Sequence, residues 1–274
     1  MVVRSTQRSQ SIVELLPQDY VFTDPLVVYS SVIIGIIACK MVYGLSRLIG
    51  AVYFKSYSGL SKSPQIEWNN RAMSTLHAVF IATASLYFVF WSDLYSNDEV
   101  VGPITLRRST LSSFSLGVST GYFLSDIGMI FWLYPSLGGM EYVIHHLLSV
   151  AGVSYTMLTG EGQLYTFMVL ISEATTPWIN LRWYLDEAGM KNSRVYLMNG
   201  IVIFLAWLVA RILLFVYIFY HMYVHHGQVM QMHTAGVVLV HAVPSTIAVM
   251  NLVWFGKIFK GLKKTLARGK KKSQ

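Results

Sequence analysis

The chain has 274 residues, of which 54% are hydrophobic and only 12% charged. A soluble globular domain carries about 25% charged residues, so the composition excludes one and indicates an integral membrane protein. The net charge of +8 is uneven: eight of the 21 Lys and Arg residues follow residue 256, which reads as a juxtamembrane tail beside anionic lipid and not as a nucleic-acid-binding element.

Residues 1–24 read as a polar tail with no signal-peptide pattern, so the first apolar run is expected to act as an anchor. Seven apolar segments follow, at about 26–53, 72–92, 111–133, 139–158, 164–184, 197–222 and 233–258. Each approaches the ~20 residues that cross a bilayer, and each is expected to be helical because lipid-exposed backbone must satisfy its own hydrogen bonds. The fourth and fifth are short and are joined by the turn Thr159–Gly162. The lone Cys39 excludes an internal disulfide.

The connections suggest an orientation. Lys55, Lys62 and Arg71 precede the second span, Lys191 and Arg194 precede the sixth, and the basic tail follows the seventh. The opposite connections carry Asp93, Asp98, Glu99 and Glu161 against Arg107 and Arg108. The bias of Lys and Arg toward the cytosol then places the N-terminus in the lumen and the C-terminus in the cytosol. Lys271 and Lys272, third and fourth from the end, match a dilysine retrieval signal of the endoplasmic reticulum.

Ionisable groups inside a bilayer are costly and face an interior or a cavity. The fourth segment carries the adjacent pair His145 and His146. At 1.5 Å per residue, His77, Asp126, the pair, Glu173 and Asn180 fall in one layer roughly 10–16 Å below the cytosolic edge. Arg211 lies near the middle of the sixth segment and His241 in the luminal half of the seventh. Histidine serves as base, acid or nucleophile, and a carboxylate orients it, so His145, His146 and Glu173 form the candidate catalytic set, with Asp126, His77 and Asn180 in support. Structural readings stand beside this one: a buried His77, an ion-paired Arg211, and Ser and Thr stripes as interhelical glue. Adjacent histidines diverge by about 100° on a helix, so a shared metal is not expected.

Several runs resemble the TLC domain. These are Ile66-Glu67-Trp68-Asn69-Asn70-Arg71 with Ser74-Thr75-Leu76-His77, then Gly121-Tyr122-Phe123-Leu124-Ser125-Asp126, the His pair, and Glu173-Ala174-Thr175-Thr176-Pro177 with Asn180-Leu181-Arg182-Trp183. The resemblance covers about residues 60–262 and is strongest to the small TLC-domain-containing group, plant members included. It implies an all-α membrane protein of about seven transmembrane helices, six of them a barrel around a lipid cavity. It divides the chain into a luminal tail (1–24), a first helix with the start of the basic loop (25–59), the TLC domain (60–262) and a cytosolic tail (263–274). In the related ceramide synthases the His pair is thought to carry acyl transfer from acyl-CoA. Their signature continues with His-Asp and a second Asp three residues on, where this chain has Ser172-Glu173 and Thr176.

The resulting expectation is a lipid-handling protein of the endoplasmic reticulum, with acyl-CoA as a candidate substrate and membrane lipids as partners. Lys55, Lys62, Tyr122 and Arg211 are candidate contacts to lipid or acyl-CoA, and no cofactor or nucleic acid is expected. A lipid sensor, carrier or cargo escort that keeps the cavity without the chemistry is the alternative.

Overall fold

Asp24 accepts a hydrogen bond from the Leu26 amide at 2.8 Å, and Pro25 occupies the first turn, so the first apolar run starts as a capped helix. The structure is a computed structural model that describes residues 22–96 and 102–272, with side chains through 266. Most of the expected N-terminal tail, Asp98 and Glu99, and the side chains of Lys271 and Lys272 lie outside the described residues.

Helix α1 is Pro25–Tyr53, α2 is Lys62–Trp91, α3 is Thr110–Trp132 and α4 is Met140–Thr159. Helix α5, residues 163–187, consists of Gln163–Leu170, a 3-10 turn at Ile171–Thr175, and Thr176–Glu187. Helix α6 is Arg194–Val224 with a π turn at Leu208–Leu213, and α7 is Thr234–Lys272. Among the described residues there is no strand. The protein is an all-α membrane protein. By length and composition α1, α2, α3, α6 and α7 are long and apolar enough to cross a bilayer. The expected fourth and fifth spans are α4, which carries the histidines, and α5, which is broken in the middle.

Two expected boundaries move. The second helix starts at Lys62 and not near residue 72. Its polar first turns are satisfied by protein: Asn69 donates to the Tyr57 hydroxyl at 3.1 Å, and Arg71 binds Glu67 and Asn180. The last helix runs past 258 to Lys272, because the Lys-rich tail contains no proline to end it.

Helices α2, α3, α4, α7, α6 and α5 touch in that order, and α5 returns to α2. Helix α1 lies outside this ring against α2 and α3. The α1–α3 contact is close because Gly121 has no side chain; a Cβ there would run into the α1 backbone at Val32 and Ile36. At one end of the ring the loops knit together: the Gly162 amide donates to the Thr105 carbonyl at 2.7 Å, and the Ile104 amide to Gln228 at 2.8 Å. At the other end a cavity of about 560 Å³ opens between the helices.

A candidate lipid cavity and its histidine site

The α3–α4 connection sets the site. Asp126 sits in the last two turns of α3, and His145 and His146 in the second turn of α4. His146 Nε2 lies 2.6 Å from Asp126 Oδ2, with both side chains largely buried. His146 Nδ1 lies 2.9 Å from the Tyr142 carbonyl. A carbonyl only accepts, so Nδ1 must carry a proton and donate. One further proton is then shared between Nε2 and the Asp126 carboxylate. Both nitrogens of His146 are therefore committed, which leaves it no free lone pair while this geometry holds. The other carboxylate oxygen, Asp126 Oδ1, is buried and has no hydrogen-bond partner among the described residues.

His145 differs. It lines the cavity, with its ring edge-on to His146 at 5.4 Å and to Trp254 at 5.8 Å between centroids. Its Nδ1 is buried and has no hydrogen-bond partner among the described residues.

Glu173 does not orient the pair as the sequence suggested. It lines the cavity, but its Oε2 accepts from the Thr176 hydroxyl at 2.7 Å, and its Oε1 faces Arg211 at 3.6 Å. The cause is Pro177. Its missing N–H and its ring prevent a regular helical bond to the carbonyl four residues back, and the preceding turn tightens to 3-10. That turn points Thr175 and Glu173 at α6. Arg211 Nε donates to Thr175 Oγ1 at 2.8 Å and Nη1 to Asn251 at 3.3 Å, and the guanidinium covers the Trp207 ring at 4.6 Å. Arg211 itself occupies the π turn of α6, an extra-residue bulge common at functional positions. The carboxylate bound to a member of the pair is Asp126, on His146.

The supporting residues divide. Asn180 is buried and joins α5 to α2: its amide nitrogen donates to Ser74 at 2.8 Å and Thr75 at 2.9 Å, and its oxygen accepts from Arg71 at 2.9 Å. Tyr122 lines the cavity, and His77 stacks on it at 3.7 Å between centroids. His77 does not line the cavity, and neither ring nitrogen has a partner among the described residues. Lys55 and Lys62 are exposed and do not line the cavity. Lys55 opens the short helix Lys55–Ser58, whose Tyr57 packs against Gly50 and Trp68, and Lys62 opens α2. His241 is exposed on α7, its Nδ1 on the Val237 carbonyl.

Sequence reasoning missed Thr175, Asn251, Trp254 and Lys257, and gave no cavity role to Arg182. Asn251 was findable as a lone amide within an apolar run. The others needed the fold. His221 in the last turn of α6 and His225 just beyond its end also stack, 4.1 Å between centroids. Among the described residues no group of three or more His, Cys, Asp or Glu side chains stands ready for a metal ion.

Comparison with known proteins gives the family. The sequence profile of the TLC domain matches residues 67–260. TLC domain-containing protein 4-B of Xenopus laevis is 28% identical over 222 residues, covering 76% of this chain and 78% of that one. TLC domain-containing protein 4 of Homo sapiens is 24% identical, covering 82% of this chain and 85% of that one. TLC domain-containing protein 4 A of Dictyostelium discoideum is 25% identical, covering 82% and 86%. No solved structure matches the chain. The profile spans well over half of the sequence and includes most of α2, Asp126, the His pair, the Pro177 turn and Arg211; the chain belongs to the TLC-domain family.

Proposed function

We propose that this is a lipid-handling protein of the endoplasmic reticulum membrane whose cavity takes an acyl chain beside His145, and that the site transfers the acyl group to an amine or hydroxyl. The observation that carries this reading is the division of labour in the pair. His146 is held between the Tyr142 carbonyl and Asp126, while His145 lines the cavity and its buried Nδ1 has no hydrogen-bond partner among the described residues. In the proposed step the attacking amine or hydroxyl bonds to the acyl carbon and gives its proton to His145. The thiolate of an acyl-CoA leaves and takes that proton back. The His146–Asp126 unit holds His145 edge-on and steadies charge as it forms.

Orientation supports access from the cytosol. The cavity opens at the end where α2 and α6 begin and α7 runs on, and that end carries Lys62, Lys191, Arg194, Lys257, Lys260, Lys263 and Lys264. Basic residues favour the cytosolic side. The TLC domain, in the wider bounds 60–262, then forms a six-helix barrel with the polar end of its ligand in water.

A second reading has its own observation. The Thr176 hydroxyl is spent on Glu173, and Glu173 faces Arg211; among the described residues no carboxylate bonds to His145. A cavity of this kind holds a lipid without reacting it, as a sensor, carrier or cargo escort. Purified protein in nanodiscs, given radiolabelled acyl-CoA with a sphingoid base or a glycerolipid acceptor, separates the two. Transfer that His145→Ala lowers by about 100-fold or more is expected for the enzyme. Lipid retention with no transfer, unchanged in His145→Ala with His146→Ala, would leave the carrier.

A further inference from the structure

The cavity is lined by three carboxylates, Glu67, Asp126 and Glu173, and by four side chains of high basicity, Arg71, Arg182, Arg211 and Lys257, besides the histidines. Each carboxylate has a partner. Glu67 binds Arg71 at 2.7 Å, Asp126 binds His146 at 2.6 Å, and Glu173 faces Arg211 at 3.6 Å. Arg182 and Lys257 remain. Among the described residues no carboxylate lies within ion-pair distance of either.

Arg182 is not a loose surface cation. Its guanidinium lies 3.9 Å above the Tyr196 ring, donates to the Tyr196 carbonyl at 3.2 Å and reaches Thr265 on α7 at 3.5 Å. Gly200 makes room for it, since a Cβ there would meet Nη1 at 2.7 Å. A guanidinium has five N–H donors, so most of those on Arg182 remain unspent. Lys257 lies on α7 one turn beyond Trp254, the ring beside His145, lines the cavity, and has no ion-pair partner among the described residues. Both cations line the cavity, Arg182 fixed in place and Lys257 exposed, and neither has a carboxylate partner among the described residues; such cations attract an anion, and a planar guanidinium suits phosphate in particular.

We propose that Arg182 and Lys257 form a phosphate subsite at the cavity mouth, so that the amphiphile taken up carries a phosphate there while its chain lies past Trp254 toward His145. This rests on the lipid-cavity reading and adds the class of headgroup. Two sources share the chemistry: the phosphates of an acyl-CoA and the phosphate of a glycerophospholipid.

The test uses the full chain in nanodiscs of neutral lipid. Retention of long-chain acyl-CoA, phosphatidic acid and diacylglycerol is measured by native mass spectrometry, with inorganic phosphate as competitor. Both phosphate-bearing probes should be retained better than diacylglycerol. Lys257→Gln, which removes no internal contact, should lower that preference by about tenfold. Arg182→Gln should do the same, with Arg182→Lys intermediate. The stronger of the two probes identifies the source, and competition by inorganic phosphate shows that the headgroup alone engages the subsite. Equal retention of all three lipids, or a preference that persists in Lys257→Gln and Arg182→Gln, overturns the subsite and leaves the cavity reading standing. Retention of none overturns both.

Discussion

His146 and Asp126 are bound across the α3–α4 junction at 2.6 Å, and the Tyr142 carbonyl fixes the opposite edge of the imidazole. The unit is therefore a clamp between two helices as well as a proton-sharing pair. Asp126→Asn should destabilise the protein by about 1–3 kcal/mol, since a buried charge-assisted bond becomes a neutral one. A double-mutant cycle with His146→Gln, read by thermal unfolding in detergent, should show clear non-additivity. Additive losses would mean that the pair does not act as a unit.

Arg211 is buried with Glu173 as its only carboxylate partner among the described residues. Removing one member leaves the other charge inside the protein. Arg211→Met should cost about 3–5 kcal/mol, and Arg211→Met with Glu173→Gln should cost distinctly less. The comparison needs only the unfolding midpoints of the single and double variants.

Gly121 sets the distance between α1 and α3. Gly121→Val forces α1 outward and should destabilise by about 1–3 kcal/mol, as overpacking does. Gly128, on the same helix with open space at its Cβ position, is the control: Gly128→Ala should leave the midpoint unchanged or raise it. Equal effects at the two glycines would argue against a close α1–α3 contact.

At the end of the ring away from the cavity, Glu161 is buried. It accepts from the Tyr155 hydroxyl at 2.5 Å and pairs with His233 Nδ1 at 2.5 Å, joining the α4–α5 turn to the start of α7. Glu161→Ala should speed amide exchange in 160–163 and 232–236 while the His146–Asp126 region keeps its protection. Loss of protection through all helices would show that this tie governs global stability instead.

Much of the fold was legible in the sequence. The apolar runs gave the helices, and the alternation of their ends gave a common depth to Asp126, the His pair and Asn180. The role of Glu173 was not legible. Depth places a residue along a helix axis, but Pro177 turns the preceding segment into 3-10 geometry, and this rotation decides which neighbour Glu173 meets. The cations that line the cavity were not legible either. Lys55 and Lys62 stand in a basic loop, are exposed and do not line it. Lys257 lies in a charge-rich tail that composition alone reads as solvated.

The order α2, α3, α4, α7, α6, α5 means that two three-helix halves meet along two seams. The α2–α5 seam is bolted: Asn180 reaches Ser74, Thr75 and Arg71, and the Tyr184 hydroxyl donates to the Trp68 carbonyl at 2.7 Å. Beside the cavity, the α4–α7 seam meets through the rings of Tyr142, His145 and Trp254, 5.8–5.9 Å apart. Hydrogen bonds in an apolar medium resist separation in a way that ring contacts do not, because lipid tails replace the latter readily. The α2–α5 seam is thus held by directional polar bonds, and the α4–α7 seam next to the histidines by ring packing.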